Sequence, residues 1–445
     1  LNLKTFKIGG IHPPENKISA GNPIVAVELP KRVTIPLSQH IGAPAVPVVK
    51  KGDRVKVGTL IGRGEAFISA NIHSSVSGTV FSVDTITDLA GFQSNVVTID
   101  VEGDEWEESI INRSEVIREI TATPEEIVAA IKEAGIVGMG GACFPTHVKY
   151  MIPNGKKADT LIINGVECEP YLTADHRLML EHAEEILVGV DIMRRALKSE
   201  RAVIGIEANK PDAIEKMTKV ASTFSGIVVQ PLQMKYPQGA EKQLIKAIAN
   251  REVPSGKLPL DVGCVVDNVG TALAIYEAVQ KHKPLFERVV TVTGKRLEKP
   301  SNFLVRTGVS VEYLIEKCGG IPEGTGKIIS GGPMMGKAVV RTDIPVVKGT
   351  SGVLLLDESE SRRKPQSNCI RCGKCVSVCP MGLEPYLIEK LSEKSRWAEL
   401  EEINAADCIE CGSCSYTCPS ALPLLDMIRL AKANVMRIRR ERAKK

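Results

Sequence analysis

The sequence predicts a multidomain α/β chain, and three observations carry that expectation. Strand-type and helix-type segments alternate from Asp159 to Pro231, short Val-, Ile-, Thr- and Gly-rich runs flank them at about residues 30–101 and 289–356, and eight of the twelve cysteines gather in two runs near the C-terminal end. A chain of 445 residues exceeds one ordinary core, so roughly two to four domains are expected. Hydrophobic residues make up 43% and charged residues 25%, close to average globular usage. No apolar run approaches the ~18 residues of a membrane span. Leu1 to Gly10 carry two lysines and no apolar h-region, so the reading is a cytoplasmic chain without a secretory signal. In that compartment clustered cysteines more often bind metal than form disulfides. Aromatic residues are only 4% and no basic stripe is interleaved with them, which argues against nucleic acid as a partner.

The N-terminal region, residues 1–110, contains an all-β unit at about 30–101. Within it, Lys51-Gly52-Asp53-Arg54-Val55-Lys56-Val57-Gly58 and Ser77-Gly78-Thr79-Val80 look like the two halves of a biotinyl/lipoyl-type barrel-sandwich hybrid. Such domains carry their cofactor on a lysine upstream of the second-half glycine, and Phe67 stands at that position. No swinging arm can be attached, so a structural or docking module is expected.

Residues 111–288 read as an α/β domain. Thr123-Pro124-Glu125-Glu126 announces a helix running to about Ala134, with Thr as cap, Pro in the first turn and Glu126 closing a capping box. Extended segments at Thr160–Asn164, Ala202–Ile206 and Ile227–Pro231 alternate with helices at Ala174–Leu197 and Pro211–Ala221, implying a mostly parallel sheet. Residues 289–357 return to short β-rich runs with turns at Gly319-Gly320 and Gly331-Gly332-Pro333, a small α+β domain. The charged stretch Glu358–Ser367 reads as a linker into the last domain, residues 358–445.

Cys369-x-x-Cys372-x-x-Cys375-x-x-x-Cys379-Pro380 and Cys408-x-x-Cys411-x-x-Cys414-x-x-x-Cys418-Pro419 repeat the bacterial ferredoxin signature. Two-residue gaps let three thiolates wrap one face of a [4Fe-4S] cubane, and the fourth cysteine, after a longer gap and fixed by the proline that follows it, ligates the other cluster. Cys369, Cys372, Cys375 and Cys418 are thus expected on one cluster and Cys408, Cys411, Cys414 and Cys379 on its partner. A pair of all-cysteine zinc sites is the alternative, but zinc ribbons use two knuckles of two cysteines each. The segment between the runs, Glu384–Ile403, reads as helical, so the clusters sit on a helical scaffold.

Four further elements suggest a ligand site. The loop Gly135-Ile136-Val137-Gly138-Met139-Gly140-Gly141-Ala142-Cys143-Phe144-Pro145-Thr146-His147-Val148-Lys149 follows a helix, so it departs from the dinucleotide fingerprint, which needs a preceding strand. Its glycines nevertheless allow backbone N–H groups to approach a phosphate or a flat ring, and Lys149 supplies a charge. Asn164-Gly165-Val166-Glu167-Cys168-Glu169-Pro170-Tyr171 lies at the carboxyl end of an expected strand, where ligands bind in open α/β sheets. Tyr236-Pro237-Gln238-Gly239-Ala240-Glu241 precedes a helix over Lys242–Ala249, and Asp267-Asn268-Val269-Gly270-Thr271 opens another, whose N-terminus favours an anion.

Taken together and in order, Gly138–Lys149, Asn164–Tyr171, Tyr236–Glu241 and Asp267–Thr271 resemble the FMN- and NADH-binding subunit of respiratory complex I. More closely, nearly the whole chain resembles the RnfC family of Rnf electron-transport complexes. The narrower match rests on Gly9-Gly10-Ile11-His12-Pro13-Pro14-Glu15-Asn16-Lys17, on Pro36-Leu37-Ser38-Gln39-His40-Ile41-Gly42-Ala43-Pro44, and on the cysteine repeat. The resemblance implies that Gly138, Gly140, Gly141 and Lys149 hold FMN, with Asn164 and Glu167 near the isoalloxazine and Asn268 and Thr271 at its phosphate. It implies that Tyr236 and Gly239 line the flavin, that Phe144, Glu169 and Glu241 face NADH, and that residues 289–356 form a β-grasp, or SLBB, domain. Three departures stand out. Cys143 occupies a usual glycine position and would crowd the ring, Asp267 replaces an asparagine, and Ala240 replaces an acid of the complex I pattern. Cys143, Cys168, Cys264 and Cys318, outside the repeat, read as small buried or loop residues.

The function so implied is electron input to a membrane-bound, ion-translocating ferredoxin:NAD+ oxidoreductase. The chain would exchange electrons between NADH, FMN, two [4Fe-4S] clusters and membrane-bound flavin subunits, with ferredoxin indirectly, on the cytoplasmic face of the membrane. A cobalamin-reductase component of a metabolic microcompartment and a flavin-free relay adaptor are the rival readings. The net charge of +4 is local: Met427–Lys445 holds eight Lys or Arg against Glu441 alone. Ile428, Ala431, Val435 and Ile438 fall there at helical spacing, so the tail reads either as a basic amphipathic helix for an anionic membrane or acidic partner, or as a solvated end.

Overall fold

Short apolar runs between Gly and Pro turns make short strands, and the first, β1 (Ile24–Ala26), leaves the N-terminal segment to pair in parallel with a strand near residue 303. The computed structural model describes residues 3–87 and 91–443. Period-2 alternation then yields β2 (Arg32–Pro36), β3 (Val46–Pro47), β4 (Arg54–Val55), β5 (Leu60–Arg63), β6 (Ile72–His73), β7 (Gly78–Thr87) and β8 (Gln93–Val101). They form two facing sheets, β2-β8-β7-β4 and β3-β5-β6, the barrel-sandwich hybrid. Phe67, at the tip between β5 and β6, is 65% exposed where a carrier lysine would stand.

The capping box at Thr123 and Glu126 starts α1 (Pro124–Glu133) as the sequence indicates, with the Thr123 side chain accepting from Glu126 N. There follow α2 (Thr146–Tyr150), β9 (Thr160–Asn164), α3 (Ala174–Glu181), α4 (Ala183–Ala196), β10 (Arg201–Glu207), α5 (Pro211–Ala221), β11 (Ile227–Leu232), α6 (Glu241–Ala249), β12 (Cys264–Asn268) and α7 (Val269–Lys281). The strands make an all-parallel sheet in the order β11-β10-β9-β12. The near-continuous apolar runs of β9 and β10 are buried on both faces, as parallel strands require. The single helix expected over Ala174–Leu197 is two, because His182 adopts φ −124°, ψ 32°. The break redirects the chain so that α4 packs along α7, where a Cβ on Gly189 would fall 2.0 Å from Ala272 O.

Next come β13 (Glu287–Thr293), β14 (Ser301–Arg306), α8 (Val311–Lys317), β15 (Thr325–Ser330), β16 (Lys337–Val339) and β17 (Gly352–Asp357), in a mixed sheet of order β1-β14-β13-β17-β15-β16. Its edge strand β1 comes from the N-terminal region. Val33, Ile35, Val97 and Ile99 of the barrel share one apolar core with Val290, Val292, Val305 and Val353 of this sheet. The two β units are thus fused by burial rather than strung on a linker.

The C-terminal part contains α9 (Glu358–Ser361), α10 (Lys374–Ser377), α11 (Pro385–Glu393), α12 (Trp397–Glu402), α13 (Ser413–Thr417) and α14 (Leu424–Ala443). The helix expected between the cysteine runs is interrupted at Ser395, whose φ is +52°. In α14 the stripe Leu424, Ile428, Ala431 and Val435 is buried against α11 and α12. The tail's apolar face is therefore interior, not a membrane face. Several of its cations pair within the chain, Arg429 and Lys432 with Glu410, Arg439 and Arg442 with Glu401. Lys444 and Lys445 lie outside the described residues. Among the described residues no helix is long and apolar enough to cross a membrane.

One extended segment ties these parts together. Lys4 pairs with Leu232 and Ile11 with Tyr236, while Gly10 N donates to Val378 O at 2.9 Å, so residues 4–17 run between the parallel sheet and the cysteine-rich domain.

Candidate functional site

The glycine loop between α1 and α2 is closed by its own backbone and tied to α7. Gly138 N donates to Phe144 O at 2.9 Å, Cys143 N to Gly138 O at 3.1 Å, and Met139 N to Thr271 Oγ1 at 2.9 Å. Asn268 caps α7 by accepting from Gly270 N at 2.8 Å. A Cβ on Gly140 would touch Asn268 at 3.4 Å, and Gly141, at φ +116°, faces open space. Gly140, Gly141 and Ala142 are exposed, and among the described residues their amides have no backbone acceptor. Free N–H groups beside the N-terminus of a 13-residue helix form an anion-binding concavity, which fits the phosphate of a nucleotide-type cofactor.

Lys149 faces this corner but is not a free cation. Its Nζ donates to Val266 O at 2.7 Å and to Asp267 Oδ1 at 3.0 Å, while Tyr150 donates to Asp267 Oδ2 at 3.0 Å. Burial works to lower the Lys149 pKa, yet the charges of Asp267 and Glu241 outweigh it and the net displacement is upward. Burial likewise pushes the Glu241 carboxyl up, with Lys149 opposing. Asp267 thus makes Lys149 one arm of an ion pair.

At the carboxyl ends of β9 and β12, Asn164 Nδ2 donates to Gly239 O at 2.9 Å and Asn268 Nδ2 to Asp175 Oδ2 at 2.7 Å. Glu167 does not project freely. In a left-handed turn (φ +46°), its carboxylate caps α3 by accepting from Asp175 N at 2.8 Å and His176 N at 3.2 Å. Burial, then the charge of Glu167, pushes the Asp175 carboxyl up to about 7. The half-buried Glu169 accepts from Met334 N at 3.1 Å and Met335 N at 2.8 Å, so it anchors the loop between β15 and β16. Burial pushes Glu169 up to about 7 against the pull of those two amides. Phe144 is half-buried in the glycine loop. Cys143 turns toward Gly349, where a Cβ would lie 2.2 Å from its Sγ.

Tyr236 is buried between the sheet and the last domain, and its hydroxyl donates to Cys411 O at 2.8 Å. Ile11, Tyr236 and Cys411 form one apolar cluster with Cys168, Met334, Val378 and Ile409 packed on it. Cys379, Cys408, Cys411 and Cys414 line one pocket, together with Leu383, Ile409 and Ile428. Burial pushes Cys414 up to about 12 and Cys408 up to about 11, and the charge of Cys379, from the first run, adds to both. Similarly, burial raises the Cys375 thiol, with Cys418 adding to it. These thiols surround a space rather than a point: among the described residues no three His, Cys, Asp or Glu side chains converge as on one metal ion. Cys372 is exposed, whereas Cys379, Cys411 and Cys414 are buried.

One residue important to the site was noted in the sequence only as part of a family signature. Lys17 Nζ donates to the carbonyls of Glu167, Glu169 and Leu172 at 2.8, 2.9 and 2.7 Å, clamping the whole Glu167–Leu172 turn. Burial and then Lys210 lower its pKa to about 8. Lys210 supports the same turn through Val166 O at 2.8 Å. Asp175, the partner of Asn268, lay in an expected helix and carried no motif.

Comparison with known families assigns each part. The Nuo51 FMN-binding domain matches residues 131–277, the RnfC barrel sandwich hybrid domain 4–104, the SLBB domain 289–338 and a 4Fe-4S dicluster domain 368–422. The C subunit of the proton-translocating ferredoxin:NAD(+) oxidoreductase complex of Clostridium ljungdahlii is 48% identical over 91% of this chain and 88% of its own length. Its counterpart in the Na(+)-translocating complex of Acetobacterium woodii is 47% identical over 99% of this chain and 100% of its own. The corresponding protein of the ion-translocating oxidoreductase complex of Rhodobacter capsulatus is 44% identical over 86% and 74%.

Proposed function

Because the chain belongs to the RnfC family of ion-translocating ferredoxin:NAD(+) oxidoreductase complexes, we propose that it is the NADH-side electron-transfer subunit of such a complex. Bound FMN supplies two-electron exchange with NADH and one-electron exchange with [4Fe-4S] clusters. The chain supplies position. The loop amides of Gly140 and Gly141, with Asn268 and Thr271 at the α7 N-terminus, would hold the phosphate, while the Gly138 amide closes the loop on Phe144 O. Asn164 and Gly239 set the floor for the ring, with Glu167 fixing the adjoining turn through α3. Lys149, neutralised by Asp267, steadies the end of β12 through Val266 O rather than delivering a net charge. Phe144, Glu169 and Glu241 stand on the NADH side, and Tyr236 bridges from the flavin to the cysteine-rich domain. Cys408, Cys411, Cys414 and Cys379 hold the cluster nearer the flavin; Cys369, Cys372, Cys375 and Cys418 hold the outer one.

The observation that supports this reading most is the Tyr236 hydroxyl bond to Cys411 O at 2.8 Å, which joins the two sites through one side chain. Electron transfer needs that closeness. The reading puts the chain peripherally on the cytoplasmic face, where NADH is found, beside membrane-embedded partners; among the described residues no helix is long and apolar enough to cross a membrane. The names of those relatives favour this reading over a cobalamin reductase. Anaerobic titration of the flavin-loaded protein with NADH tests it: flavin absorbance should bleach first and cluster absorbance after it. Bleaching of the flavin with clusters left oxidised would break the proposed path.

A further inference from the structure

The segment that carries the first cysteine run is strongly basic. Residues 362–374 contain Arg362, Arg363, Lys364, Arg371 and Lys374 and no Asp or Glu, and all five cations are exposed. Among the described residues only Arg363 has an acidic partner, Asp426 at 2.9 Å, so four cations remain without a counter-charge. Ile370 projects between Cys369 and Arg371 at 66% exposure, and Tyr416, just before Cys418, is 53% exposed. The segment is held in place, not a loose tail: Ser367 N donates to Ser420 O at 3.0 Å and Ser420 Oγ to Asn368 O at 2.9 Å. Cys372 is exposed in the midst of it.

We propose that this face, an exposed apolar side chain inside a rim of Arg362, Lys364, Arg371 and Lys374, docks an acidic one-electron carrier protein or domain. The inference rests on the proposed reading of the eight cysteines as cluster ligands and adds the surface through which they are reached. The rim's uncompensated charge attracts a partner of opposite sign from a distance and orients it, while the apolar centre excludes water on contact. An anionic lipid surface would accept the same charges. The apolar stripe of α14, however, is buried and so is not available for insertion. Placement around an exposed cluster-ligand position favours a redox partner, whose cofactor must come close to that edge.

The test uses the full chain made anaerobically with its iron, and an oxidised acidic [2Fe-2S] ferredoxin as the probe. Binding should weaken about tenfold or more between about 50 and 300 mM salt. Arg362→Glu with Lys364→Glu, outside the cysteine run, and Arg371→Glu with Lys374→Glu, inside it, should each weaken low-salt binding about tenfold and flatten the salt dependence. Arg440→Glu, a charge reversal on α14, should not. Electron paramagnetic resonance on each variant separates lost docking from a lost cluster. Binding that ignores salt, equal loss in the Arg440 variant, or sedimentation with phosphatidylglycerol vesicles without ferredoxin binding would each overturn the proposal. A wild-type chain lacking iron and sulfide would instead defeat the cluster reading beneath it.

Discussion

The Thr271 hydroxyl accepts from Met139 N at 2.9 Å, leaving its own proton free for an anion in the glycine loop. Thr271→Val keeps the shape and removes both roles. It should cost about 1–3 kcal/mol of loop tethering and cofactor contact, read as roughly tenfold or greater loss of FMN affinity in equilibrium dialysis. Unchanged affinity would exclude Thr271 from the site. Glu169 carries a different signature. Burial raises its folded-state pKa to about 7, above the ordinary 4.5. Between those pH values the folded chain binds more protons than the unfolded one, so this group's contribution is full below about 4.5 and lost as pH rises through about 7. Glu169→Gln should flatten the fall in melting temperature across that window. Parallel curves for the two proteins would mean that Glu169 is not the group responsible.

Among the helices and strands, what the sequence foretold and what it did not divide by range. The Thr123 capping box, the strands Thr160–Asn164 and Ile227–Leu232 and the start of α5 at Pro211 follow from neighbours along the chain, and each lies where the residues indicate. The loop–helix junction at Asn268 was legible for the same reason. The breaks at His182 and Ser395 were not, because each is set by where the next helix must pack. Nor was the course of residues 4–17, which depends on contacts far along the chain. Gly9 shows how closely that segment is fitted: at φ +68°, its Cβ would fall 2.5 Å from the Cys379 carbonyl. Gly9→Ala should loosen the cysteine-rich domain, seen as faster amide exchange at 376–382; unchanged exchange would mean that the segment does not brace it. The crossed cysteine sets are testable in the same way. Cys379→Ser should remove the cluster that the second run carries, and Cys418→Ser the cluster that the first run carries. The reverse pattern in magnetic resonance would mean that each run keeps its own cluster.

Among the described residues the parts adjoin through contacts: a glycine loop tied to α7 at the end of a parallel sheet, a buried tyrosine between that sheet and the cysteine-rich domain, and the partly enclosed cysteines that the tyrosine reaches. The β units contribute little chemistry of their own. They brace the site instead, the β15–β16 loop through Glu169 and the N-terminal segment through Lys17. Lys17→Met removes a donor shared by three carbonyls, leaves the Glu167–Leu172 turn without its clamp, and should release FMN faster while the iron content stays constant. Every one of these roles presupposes a pair of clusters on the eight cysteines, which elemental analysis of protein purified without oxygen reads out. Two crosswise [4Fe-4S] clusters require about eight iron and about eight acid-labile sulfide per chain, lost together on exposure to air. Zinc in their place, or iron without inorganic sulfide, would leave the flavin site with no exit for its electrons.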